Sequence, residues 1–305
     1  MFSQPDGSVA FVDFNNYRIR HVDRDGLVQT FAGNGVHAYA TPGAAPLETA
    51  LENPVDVAPH EGGLIVAPLH EARVLQLDTE LGVTVLVGTG IPGDTPAWPS
   101  PQDPLELQIQ QAASVAVDGS GGLLIADELA HKIRGVDSDG DALDLLGTGA
   151  EGTGVAGDAP NLFALNRPRW VRAAGPGDFV VADSGNHRVV RRTGDEVTVL
   201  AGTGEAGFSG DGGPAEEATL NDPSSVLVED DVVWIADQRN GVIRRIEDGV
   251  IETVLGGGRV AINDGAVKPL DLEILGPAGL ARAPDGTLLI ADQLGHRIYA
   301  WLGAP

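Results

Sequence analysis

The stretch VVADSGNHRVVRR, residues 180–192, is one of six related copies along the chain. The others are VAFVDFNNYRIR from Val9, LIVAPLHEARVL from Leu64, LLIADELAHKIR from Leu123, VWIADQRNGVIR from Val233 and LLIADQLGHRIY from Leu288. Aligned on the aspartate, the copies stand at Asp13, Pro68, Asp127, Asp183, Asp237 and Asp292, in steps of 55, 59, 56, 54 and 55 residues. A period of this kind means that one supersecondary unit is stacked on its neighbours, so the fold follows from what a single unit can form.

Within each unit a short apolar strand such as SVAVD (114–118) leads through a Gly-rich turn into a continuous apolar run that ends in the aspartate. A polar turn, a strand opening on His or Arg, a Gly/Asp turn and a strand ending in a form of LxGTG or VLAGTG complete it. Four antiparallel strands are too few to stand alone and suit one blade of a propeller. The expectation is an all-β, six-bladed β-propeller filling residues 1–305 as a single domain, with blades at about 1–35, 53–90, 112–149, 168–204, 223–257 and 276–305. The 42 glycines and 20 prolines supply the turns, and 42% hydrophobic against 21% charged residues leaves enough apolar surface for a core. Blade 1 has barely enough chain ahead of Val9 for an inner strand, while blade 6 stops after its third. That predicts either a three-stranded sixth blade or a chain cut short, and an open edge through which copies can self-associate.

The net charge of −25 repels phosphate backbones, and the 19 basic residues form no run, so nucleic acid and anionic membranes are not expected partners. Without cysteine there is neither disulfide nor thiolate metal site. No apolar stretch reaches 18 residues, so no membrane span is expected. Met1-Phe2-Ser3-Gln4 does not read as a signal peptide, so an extracytoplasmic or secreted location, the one suspected, would require a leader outside this sequence.

Val181-Ala182-Asp183-Ser184-Gly185-Asn186-His187-Arg188-Val189 closely resembles the NHL repeat, a strand ending in Ala-Asp followed by Asn-His-Arg-Ile or Val; Ala126-Asp127, Ala236-Asp237 and Ala291-Asp292 repeat its centre. The segment AGTGEAGFSGDGGPAEEATLNDP (201–223) is similar to the inter-blade connections of bacterial and teneurin-type NHL propellers. The resemblance covers nearly the whole chain and implies the fold strongly and the function weakly, because one fold serves unrelated tasks.

Asp183 and His187 invite a catalytic or metal-binding reading, but a catalytic pair need exist once, whereas the aspartate recurs in five of six blades. Five residues beyond the aligned position stand Arg18, Arg73, Lys132, Arg188, Val242 and Arg297. The expectation is a structural corner in which the carboxylate accepts turn amides and pairs with that basic side chain. His131, His187 and His296, at the four-residue offset, lie on strands away from the axis, and no metal is assigned to them.

Alternating connections place the Asp-bearing turns and the five long inter-blade connections on one face, the natural seat of recognition. Departures from the repeat point to candidates there. Blade 2 replaces the aspartate by Pro68 and adds His70 and Glu71, and blade 4 enters its inner strand through Arg167-Pro168-Arg169-Trp170-Val171-Arg172. Alternation directs Arg169 or Trp170 toward the axis. His37, Tyr39, Trp98, Phe163 and Phe208 stand in the connections, and a guanidinium beside exposed rings suits a carboxylate or sugar-like ligand. Asp94, Asp158, Asp211 and Asp264 occupy corresponding loop positions, either as calcium ligands or, more simply, in Asx turns. The candidate ligand-binding residues are therefore Arg169, Trp170, His37, Tyr39, Trp98, Phe208 and Asp211, with calcium the one cofactor in view.

NHL-type amidating lyases hold zinc through histidines after the proline that opens an inner strand, but the residues here are Val55, Ser114, Arg169, Ser224 and Ala278. No Gly-x-Ser-x-Gly, His-Glu-x-x-His or phosphate-cradling loop occurs. The favoured expectation is a non-catalytic platform for a protein or small ligand on the long-loop face. The alternative is a small-molecule hydrolase or lyase at the axial mouth.

Overall fold

In the computed structural model, which describes residues 1–4, 6–96, 100–262 and 266–303, the chain forms six antiparallel sheets arranged as a β-propeller. The inner strands are Phe2–Ser3, Pro54–His60, Ala112–Val117, Pro168–Gly175, Pro223–Glu229 and Pro277–Arg282. Blades 1 to 4 have four strands, blade 6 has three, and blade 5 gains a fifth, because Gly213–Pro214 of the preceding connection pairs with Ile251 and Val250 of the outer strand. The ring closes by packing. The Ser3 hydroxyl donates to the Arg282 carbonyl at 2.6 Å, and Met1 buries itself against Ala281 and Leu289.

Each neighbouring pair of blades has its own apolar core, drawn from the inward faces of both. The connections contribute to these cores through Leu51, Leu107, Ile109, Leu165 and Leu220, all fully buried, so their leucine-rich ends are structural. Four of the five connections also pass the outer strand of the blade they enter: Gly43 donates to Val83, Gln102 pairs with Ala142, Gly157 donates to Val197 and Gly212 to Ile251. Where the chain leaves an outer strand, Gly202 adopts φ +96, and a Cβ there would lie 2.5 Å from the His187 carbonyl oxygen.

The recurring aspartates are framework, through contacts partly different from those the spacing suggested. Those of blades 3 to 6 reach back to the connection that enters their own blade. The Asp183 carboxylate accepts the Asn166 amide at 2.7 Å, Asp237 that of Asn221 at 2.7 Å, and Asp292 that of Gly276 at 2.8 Å. The basic partner stands five residues on only in blade 4, where Arg188 Nε donates to Asp183 at 2.8 Å. In blades 1, 3 and 5 it stands seven residues on: Arg20 and Arg134 reach their aspartates at 2.9 Å, Arg244 at 3.7 Å. Antiparallel register explains the correction. Residue five is directly opposite the aspartate at the strand end, whereas residue seven lies diagonally inward on the same face, within a long side chain's reach. Blade 2 has lost both members, with Pro68 and Leu75 at those positions, and blade 4 has Val190 at the seventh.

The histidines have a conformational role. The residue four beyond the aspartate, Tyr17, Ala72, His131, His187, Gly241 or His296, has φ between 50 and 67 in all six blades, the left-handed turn that starts the third strand. Two of them also staple adjacent blades: Arg167 N–H donates to His131 Nδ1 at 3.1 Å, and Asp222 N–H to His187 Nδ1 at 3.0 Å.

Candidate functional site

The inner strands begin at the long-loop face, where the aspartate corners also lie: Pro168 pairs with Asp183 and Pro223 with Asp237. Around that mouth, residues from three blades form a continuous chain of ion pairs. Glu128, the residue after the blade 3 aspartate, is buried. Its Oε1 accepts from Arg167 Nη2 at 2.8 Å, from Arg167 Nε at 3.0 Å and from Arg169 Nε at 3.5 Å. Arg169 Nη1 continues to both oxygens of Asp222, at 3.1 and 3.2 Å, and Arg239 Nε donates to Asp222 Oδ2 at 3.0 Å. Arg169 is thus the hinge of the chain, its side chain 32% exposed.

Every member but Asp222 departs from its repeat position. Where Glu128 stands, other blades have Phe14, Leu69, Ser184, Gln238 and Gln293; where Arg239 stands they have Asn15, His70, Leu129, Gly185 and Leu294. Arg167 takes a left-handed conformation (φ 49) that its equivalents leave to Asn53 and Asp222, residues that tolerate it. Sequence reasoning singled out Arg169 and missed Arg167, Glu128, Asp222 and Arg239. The signal was the same mismatch with the repeat, read one residue before the proline and one and two residues past the aspartate.

A second assembly occupies the same face over blades 1 and 2. Glu52 Oε1 receives His37 Nε2 at 2.9 Å and His70 Nδ1 at 3.0 Å, while its Oε2 accepts the His70 amide at 2.7 Å. Burial works to raise the Glu52 pKa, but these hydrogen bonds outweigh it and hold the carboxyl below its usual range. Tyr17 stacks on His37 with centroids 4.7 Å apart, and the Tyr39 hydroxyl donates to the His70 carbonyl at 3.2 Å. Glu71 is fully buried, accepts the Ala40 amide at 3.2 Å and pairs with Arg73 at 3.4 Å; burial pushes its pKa up. Glu71 thus takes a connection amide and an arginine, the kinds of partner that the aspartate, replaced here by Pro68, has in other blades.

The remaining candidates lie elsewhere. Trp170 does not reach the mouth: it is 6% exposed and packs in the core between blades 4 and 5 with Val226 and Leu220, under the Arg172 guanidinium at 4.5 Å. Arg172 turns toward the axis and pairs with fully buried Asp56 of blade 2 at 3.1 Å, bridged by the Ser114 hydroxyl at 2.9 Å from the same carboxylate. Phe208 and Asp211 flank the Arg244 guanidinium on blade 5, the ring 5.3 Å away and the carboxylate at 2.8 Å. Phe163 is fully buried beneath Arg188. Asp94 accepts from Lys132 and Arg134, and Asp158 from the Val155 amide in an Asx-type turn. Trp98 and Asp264 fall outside the described residues. Lys132 and Asp94 also line a cleft of about 270 Å³ with Asp144, Thr148 and Asn161 on the flank of blade 3. The six candidates among the described residues are therefore spread over separate places, with only Arg169 in the ion-pair chain at the mouth.

No helix among the described residues is long and apolar enough to cross a membrane. No protein-family model matches the chain. It is 28% identical over 256 residues to Protein SUPPRESSOR OF QUENCHING 1, chloroplastic, of Arabidopsis thaliana, covering 77% of this chain and 23% of that protein. It is 27% identical over 207 residues to Teneurin-3 of Mus musculus, covering 60% of this chain and 7% of that protein. The chain thus spans less than a quarter of the length of either relative. Among solved structures it is similar to an auxiliary nutrient binding protein from Bacteroides ovatus, with TM-score 0.67, 14% identity, and 98% of this chain and 67% of that one covered. It is also similar to a streptogramin B lyase, with TM-score 0.54, 12% identity, and 97% and 90% covered. A putative gluconolactonase gives TM-score 0.58, 10% identity, and 97% and 84% covered. At these identities the structures share the fold alone, and what they place this chain among is the β-propeller proteins.

Proposed function

We propose that this protein is a non-catalytic recognition platform of the NHL type, binding its ligand at the long-loop mouth of the ring. One observation carries the reading. The positions that break the sixfold repeat, Arg167, Arg169, Glu128 and Arg239, converge with Asp222 on one contiguous assembly. A structural role predicts sameness from blade to blade, so convergent departures are the mark of selection for a task. A fold neighbour that is an auxiliary nutrient binding protein is consistent with such a task, while the streptogramin B lyase and the putative gluconolactonase indicate that the same fold also serves chemistry.

An enzyme is the second reading, favoured by the His37–Glu52–His70 cluster, two imidazoles on one buried carboxylate at the same face. The two readings separate in one experiment. Wild type and Arg169→Ala are screened by thermal shift against a library of small metabolites and glycans, and each stabilising compound is followed by mass spectrometry for conversion. Binding that Arg169→Ala abolishes, with the compound recovered unchanged, supports the platform. Conversion abolished by Arg169→Ala, or by His70→Ala, overturns it.

A further inference from the structure

The mouth assembly has an internal imbalance that names its ligand. Three guanidinium groups, Arg167, Arg169 and Arg239, face two carboxylates, Glu128 and Asp222, so the cluster carries one uncompensated positive charge in a chain whose net charge is −25. The imbalance sits at the exposed end. Arg239 is 70% exposed and spends only Nε on Asp222, so neither of its terminal nitrogens has an acceptor among the described residues. Arg169 likewise commits Nε and Nη1 and leaves Nη2 without one.

A stability role explains this arrangement poorly. Removing Arg239 would leave two arginines on two carboxylates, which is the neutral solution. Arg167 is held in a left-handed backbone conformation that costs a side chain of its kind about 1–2 kcal/mol. Its αL equivalents, Asn53 and Asp222, are residues suited to that conformation. Strain kept beside an open cationic fork is the combination expected where a ligand is gripped.

Resting on the platform reading, we infer that this mouth binds one carboxylate of a small organic monoanion, gripped by Arg239 and Arg169 next to the Asp222 carboxylate that already bridges them. The planar guanidinium fork matches a carboxylate's two oxygens. One excess positive charge matches one negative charge. A phosphate dianion would reverse the local sign and meet the acidic field of the whole chain, so it is the disfavoured anion. Glu128 acts in this scheme as an internal competitor that holds Arg169 and Arg167 until a ligand arrives.

Arginine side-chain ¹⁵N spectra of the full chain, titrated at constant ionic strength, provide the test. The probes are acetate and benzoate, with acetamide, benzamide, sulfate and phosphate as comparisons. Saturating shifts of the Arg239 and Arg169 Nε–H signals are expected with the carboxylates and absent with the amides. Arg239→Gln, at an exposed position, should weaken benzoate about tenfold, and Glu128→Gln should strengthen it by releasing a guanidinium. The assignment falls if the carboxylates give no saturation, if sulfate or phosphate binds as well, or if Arg239→Gln binds like wild type. The two proposals fail separately. A neutral library compound that binds wild type but not Arg169→Ala would keep the platform and remove the carboxylate assignment. A carboxylate that binds and is converted would do the reverse.

Discussion

Asp183→Asn is the sharpest probe of whether the recurring corners hold the ring together. The Asp183 carboxylate is fully buried and receives three donors: the Asn166 amide at 2.7 Å, Asn186 Nδ2 at 2.8 Å and Arg188 Nε at 2.8 Å. Burial pushes its pKa up, while Arg188 and the amide donors oppose that shift. The substitution keeps the shape but leaves Arg188, itself buried, with its carbonyl bonds to Gly154 and Ala164 and no counter-charge. Breaking one side of such a pair costs about 3–5 kcal/mol. With an unfolding entropy of about 2.1 cal/mol/K per residue, the 305-residue ring melting as one unit would lose about 5–8 °C in Tm. The companion variant Asp183→Asn/Arg188→Met removes both charges and should recover at least half of the loss. Calorimetry and urea unfolding read both variants. A single-variant loss below about 1 kcal/mol would refute the claim that the carboxylate is framework. A double variant no better than the single would show that the amide bonds, and not the ion pair, carry the corner.

The left-handed corners give a second test. His296 has φ 53 and no hydrogen-bond partner among the described residues, so His296→Gly should be neutral or stabilise by about 0.5 kcal/mol, as Gly241 already does in blade 5. His187→Gly instead loses the acceptor of the Asp222 amide and should destabilise by about 1 kcal/mol, and matched urea midpoints for the two would contradict the stapling role. The third test is pH. Burial pushes Asp237 up to about 6, because Arg244 leans toward Asp211 and stays 3.7 Å away. A raised carboxyl binds its proton more tightly in the folded chain, so its contribution is complete below about pH 4 and is lost as pH rises through 6. The loss is up to about 3 kcal/mol at 1.36 kcal/mol per pKa unit. Urea midpoints of wild type should therefore fall relative to Asp237→Asn between pH 4 and pH 7, and a constant difference across that window would exclude the shift.

What the sequence made legible was the part dictated by period. Strand alternation, the glycines at strand exits and the spacing of aligned aspartates each repeat, and repetition converts a weak local signal into a ring of six blades with a three-stranded last one. The corner pairing was half legible because direct opposition at residue five is easy to count, whereas the diagonal reach from residue seven depends on register. The seventh position carried only a partial clue: it is arginine at Arg20, Arg134 and Arg244, but Leu75 in the blade with Pro68 and Val190 and Tyr299 in two blades that keep the aspartate. The loop candidates were poorly legible for a different reason. Aromatic and acidic residues in the irregular connections were expected to face solvent, and Tyr39 and Phe208 are indeed exposed, but the connections are stitched across outer strands and their side chains find partners within the fold. That bends Phe163 under Arg188, sets Phe208 against Arg244 and gives Asp94 and Asp211 to guanidinium groups.

In a repeat fold, function is to be sought where the repeat is broken. A position that shares its conformation with its five equivalents is already accounted for by the blade it helps build, however chemical its side chain looks: His187 has the left-handed backbone of all six corners, and its imidazole accepts a backbone amide. A position that differs from all five must be accounted for by something outside the repeat. Glu128 and Arg169 meet that condition, and Arg239 meets it on an exposed corner where no packing requirement calls for a cation. Their convergence around Asp222 is not demanded by blade geometry, because among the described residues blade 6 closes without such a chain and blades 1 and 2 use a different cluster, His37 and His70 on Glu52. The energy of ordering those side chains and straining Arg167 is therefore spent on a mouth that differs from the rest of the ring, and a ligand is the partner that can return it.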